Sequence, residues 1–118
     1  MIPDPPSYIG ALGITAWRTG YAACTARGQW EPVFRYMLGL FASSAERYCD
    51  LVIEARAHQL SLSPETVAEI AQLRILVRQM MTDWFLLPVA RVPLAEIRAD
   101  GLDADIASLC GIASIARP

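Results

Sequence analysis

Apolar residues recur along this chain every three to four positions, the repeat of a helix with one buried face, and nowhere alternate with the period of two that a strand requires. The pattern predicts an all-α chain folded as a small helical bundle. Three longer helices are expected over about 8–27, 31–59 and 64–87, with a weaker one over about 103–116. Residues 1–7, with Pro3, Pro5 and Pro6, form a restricted lead-in, and 8–118 make one domain.

The first helix carries Ile9, Leu12, Ala16, Trp17, Ala23 and Cys24 on one face, and Gly28 supplies its stop. Gly13 and Gly20 lie on that same face, each costing a helix about 1 kcal/mol against Ala. Either a neighbouring helix approaches closely there, or the helix starts late, near Thr15. The second helix opens near Pro32 and presents Phe34, Met37, Leu38, Phe41, Ala45, Tyr48, Cys49, Val52 and Ile53 as a stripe of mostly large residues. A short link at Leu60–Leu62 makes the second and third helices antiparallel neighbours.

The third helix has the best-defined start, Ser63-Pro64-Glu65: a cap, a proline whose missing donor costs nothing there, and an acid at the positive end of the dipole. Val67, Ile70, Leu73, Val77, Met80, Met81, Trp84 and Leu87 form its core stripe. Ile75, Leu76, Phe85 and Leu86 are left over, beside or opposite that stripe, more apolar surface than one helix face hides. Pro88 and Pro93 then stop the helix, Leu94–Asp100 holds a helical turn or two, Gly101 breaks it, and Asp103 caps the last helix.

At 118 residues the chain is long enough for a core without disulfide or metal support. Apolar residues make up 54% and charged ones 19%, far from the disordered class. Net charge is −2, and all ten basic residues are Arg, a bias that GC-rich coding explains without a function. An acidic balance argues against nucleic acid as a partner. Cys24, Cys49 and Cys110 lie far apart on apolar stripes, with no C-x-x-C spacing, which fits free thiols in a reducing, cytoplasmic setting. The N-terminus lacks the basic region of a secretory signal, the uncharged stretch between Asp4 and Arg18 is too short to span a bilayer, and Arg78 and Asp83 interrupt the 67–87 segment, so no transmembrane span is expected.

Glu46, Asp50, Glu54 and His58 stand four apart along one edge of the second helix, the most enzyme-like feature of the chain. A bundle di-iron site uses Glu-x-x-His from two helices; here the spacing is Glu54-x-x-x-His58 and His58 is the single His, so the column reads as a solvated edge. Arg74 and Arg78, like charges four apart on the third helix, need acidic neighbours, and Glu46 and Asp50 are the expected partners in an inter-helix ion-pair ladder. No nucleophile has a base within reach along its helix, so no catalytic, cofactor or metal residue is expected. Trp17, Trp30, Trp84, Met80 and Met81 read first as core and second as the lining of an apolar pocket.

These readings favour a non-catalytic interaction or structural protein, a subunit of a homo- or hetero-oligomer formed through Ile75, Leu76, Phe85 and Leu86. Two alternatives come from other classes. One is a coat or adaptor on a lipid or hydrophobic granule surface, weakened by the shortage of cationic charge. The other is a small enzyme or carrier with an apolar pocket between helices, using His58, Glu54 and Asp50.

Overall fold

Helix starts and stops explain most of the architecture. In the computed structural model, residues 3–58, 63–85 and 101–112 are described, except for the side chain of His58, and they form four helices and no strand. These are α1 (Ala11–Ala26), α2 (Phe34–His58), α3 (Pro64–Asp83) and α4 (Ala104–Leu109). The expected fold class is therefore the observed one, with three longer helices and a short fourth.

α1 ends where Gly28 takes φ 66°. The N–H of Gln29 then donates to the carbonyl of Cys24, and that of Gly28 to Thr25. This is the Schellman arrangement, in which glycine meets a left-handed backbone without a Cβ clash. α4 stops the same way at Gly111, φ 77°, with Ile112 N–H on Ala107 and Gly111 N–H on Ser108. The fourth helix is thus shorter than the periodicity suggested, because Gly111 unwinds the chain before Ile112; residues 113–116 lie outside the described residues. At α3, Ser63 Oγ accepts from Thr66 N–H with Pro64 in the first turn, as its sequence foretells.

α2 is the central element and packs against both α1 and α3. Glu46 meets Gly10 and Gly13, whereas Leu38, earlier in α2, meets Gly20, so α1 and α2 run antiparallel. Arg47 pairs with Glu69, and Phe41 with Phe85, so α3 is antiparallel to α2 as well. Helix α1 begins at Ala11, which settles the glycine question in favour of close approach. A Cβ on Gly20 would lie 2.6 Å from Leu38 Cδ1 and 3.3 Å from two Phe41 ring atoms. Missing methyl groups on α1 are what let the large side chains of α2 seat against it.

The core holds Trp17, Leu38, Phe41, Tyr48, Val77, Met80, Phe85, Leu102 and Ile106, all essentially sealed from solvent. Trp17 Nε1 donates to the Pro3 carbonyl at 3.1 Å, and Arg35 to that of Asp4 at 2.9 Å, which pins the proline-rich lead-in to α1 and α2. α4 touches all three other helices. Its N-terminal Asp103 reaches Tyr48 of α2 and Arg74 and Arg78 of α3, and the Cβ position of Gly111 lies 3.1 Å from Thr15 Cγ2 of α1. Six residues of helix thus bind the bundle together at one side.

Candidate functional site

The candidate site is the outer face of α3, and its character follows from where the charges of that helix go. Between Thr66 and Thr82 the charged residues are Glu69, Arg74 and Arg78. Glu69 faces α2, where its carboxylate accepts from Arg47 Nε at 3.0 Å. Arg74 and Arg78 lie on the opposite flank and converge on Asp103, which is fully buried.

Asp103 is the hub of that flank. Arg78 Nη1 donates to both its carboxylate oxygens, at 2.8 and 2.9 Å, and to Asp105 Oδ2 at 3.0 Å. Arg74 Nε donates to Asp103 Oδ2. Oδ1 also accepts from the N–H groups of Asp105 and Ile106, which caps α4, while the Asp103 N–H donates to Tyr48 Oη at 2.9 Å. A buried carboxylate is tolerable only when so many donors replace water. Burial beside that carboxylate pushes the Tyr48 phenol up to about 12. Burial would lower Arg78, but Asp103 and Asp105 outweigh it, and its guanidinium is held above the usual range.

The ladder expected between Glu46, Asp50, Arg74 and Arg78 is therefore corrected: the carboxylate that both arginines hold is Asp103. Asp103 was foreseen as the cap of the last helix, but nothing in its spacing tied it to Arg74, 29 residues away. Glu46 has another task. Its carboxylate accepts from the N–H groups of Gly10 at 2.9 and 3.0 Å and of Gly13 at 2.9 Å, capping a helix whose own cap residue, Gly10, has no side chain. The available signal was that a helix opening on glycine must borrow its acceptor. Asp50 is exposed on the same edge, its carboxyl raised by partial burial and by neighbouring Glu46.

With its charges drawn to the flanks, α3 presents an uncharged outer face. Every exposed position from Val67 to Thr82 is Val, Ala, Gln, Ile, Leu or Thr. Ile75 is 66% exposed, Val67 52% and Leu76 36%. Two of the four residues expected to form the surface, Ile75 and Leu76, are on it. Phe85 is not: it is 2% exposed and stacks on Phe41 with ring centroids 4.5 Å apart. The reason is local. α3 ends at Asp83, Trp84 and Phe85 both return their N–H groups to the Met80 carbonyl, and the chain turns Phe85 inward instead of continuing the helical count. Leu86 lies outside the described residues.

Among the described residues, the enzyme-like features of the sequence form no cluster. No three His, Cys, Asp or Glu side chains among the described residues are placed to hold a metal ion, and the side chain of His58 is not among them. Cys24, Cys49 and Cys110 are buried free thiols. Burial pushes Cys24 up, and Cys110 is raised by its hydrogen bond with Cys49 and by burial, so neither favours the nucleophilic thiolate. Of the residues read as core or pocket lining, Trp17, Met80 and Met81 are core, while Trp84 is 43% exposed. No described helix is long and apolar enough to cross a membrane. Comparison with known proteins finds no family model, curated protein or solved structure that matches the chain.

Proposed function

We propose that this chain is a non-catalytic helical interaction protein, a subunit of an assembly formed through the outer face of α3, with a second copy as its simplest partner and a reducing, cytoplasmic setting. One observation carries the reading. The three charges in the middle of α3 are all engaged at its flanks, by Arg47 and Asp103, leaving four turns of uncharged surface with Ile75 at the centre.

Such a face suits a two-fold pairing, because a surface without charge brings no like charges together when it meets its own copy. It also offers complementary shape. In an antiparallel pair centred between Ala71 and Gln72, each Ile75 falls opposite Ala68 of the other chain, a large residue over a small one. Light scattering of the eluting protein tests this: a dimer at tens of micromolar is expected, converted to monomer by Ile75→Asp with an unchanged helical circular dichroism spectrum. A wild-type chain that stays monomeric at those concentrations overturns the proposal.

A further inference from the structure

At the end of the bundle where α1 stops, α2 starts and α3 stops, the structure forms an open cleft with a cavity volume of about 220 Å³. Its walls are apolar, built from Cys24, Phe34, Met37, Trp84 and Phe85, and among the described residues lining it only Arg27 and Gln29 are polar. An apolar cavity of about 150 Å³ in a protein core takes up benzene, so by volume this cleft has room for a body of roughly eight or nine carbon atoms. The walls contribute no charge.

The rim does. Arg27 is the C-cap of α1. Its Nη1 donates to the Phe85 carbonyl at 2.7 Å and its Nε to Gln29 Oε1 at 3.3 Å. A guanidinium has five N–H groups, so three meet no acceptor among the described residues. A fixed cation with open donors beside an apolar cleft matches one class of small molecule, an apolar body ending in a carboxylate. Burial pushes the Cys24 thiol up in the same wall, while the neighbouring Arg27 guanidinium pulls it down.

We infer that this cavity is a binding site for a small monocarboxylate with an apolar body, such as a medium-chain fatty acid, its chain between Phe34, Met37 and Phe85 and its carboxylate on Arg27. This goes beyond the self-association proposed for α3 and stands without it. For a ligand of this size the dissociation constant is on the order of 100 µM.

Octanoate is the probe, with octan-1-ol as its neutral counterpart, and binding is read by two-dimensional NMR at the Trp84 indole N–H. Octanoate is expected to shift that signal saturably. Arg27→Gln should weaken octanoate about tenfold while leaving octan-1-ol unchanged, the loss of a charge-assisted hydrogen bond. Met37→Trp, which fills the chamber, should abolish octanoate binding in a chain whose circular dichroism is unaltered. Equal weakening of both probes by Arg27→Gln overturns the carboxylate assignment, since the arginine then acts only through Phe85. No saturable shift in the wild type overturns the site itself, as does persistent binding in Met37→Trp. Loss of self-association in Met37→Trp without any octanoate binding to the wild type assigns the cavity to a partner's side chain and overturns the inference too.

Discussion

The seams on either side of the bundle solve the same packing problem by opposite means. Between α1 and α2, side chains are subtracted: Gly20 leaves room for Leu38 and Phe41, and Ala42 and Ala45 are fully buried. Between α3 and α4, charge is added: Arg74, Arg78 and Asp103 meet where Asp103 has no exposure at all. The first seam is held by contact distance and tolerates no bulk. The second is held by neutralised charge and tolerates no missing partner. α4 buries Ile106, Ala107 and Leu109, but a helix of six residues is marginal by itself, and the ionic device fixes where it docks.

Each seam fails by a different substitution, and the largest effect belongs to the ionic one. Asp103→Ala strands two arginines and removes the cap of α4, and is expected to cost about 3–5 kcal/mol in urea unfolding. A smaller loss would mean that the arginines escape readily to solvent. Next comes Gly20→Val, which forces bulk against Leu38 and Phe41; overpacking of this kind costs about 2–3 kcal/mol, and a neutral result would show that α1 can slide away from α2.

Tyr48→Phe removes the acceptor for the buried Asp103 N–H and should cost about 1–2 kcal/mol at neutral pH. The same hydroxyl makes the ionic seam sensitive to pH. The Tyr48 phenol moves from 10.0 to about 12 on folding, so its contribution is complete below pH 10 and is lost as pH rises toward 12, where the unfolded chain ionises first. Wild-type stability should fall across that window and the Phe variant should lack this component, as read by urea midpoints at stepped pH. The smallest effect is expected at the exposed pair Arg47–Glu69, whose side chains are 57% and 43% accessible. Arg47→Ala should leave the thermal midpoint essentially unchanged, because solvent and salt already screen that pair.

The expected surface and the expected ladder show what kind of information each seam left in the sequence. Ile75 and Leu76 were legible as surplus because they sit within an uninterrupted helix, where angle follows from counting. Phe85 was not, since the helix ends two residues before it and the count no longer applies. Glu46 was legible as an acid on a helix edge, but its role at Gly10 and Gly13 joins residues more than 30 positions apart.

Local features could be read along the chain: four helices, the Ser63-Pro64 start, the Gly28 stop and three buried thiols. Each rests on interactions within a few residues or on the simple preference of apolar groups to leave water. Tertiary structure alone decided which of two readings of Gly13 and Gly20 holds, which carboxylate receives Arg74 and Arg78, and where Arg27 meets an apolar chamber. Those outcomes depend on side chains from separate helices arriving at one point in space, and a one-dimensional pattern carries the charge and size of each group but not the identity of its neighbour.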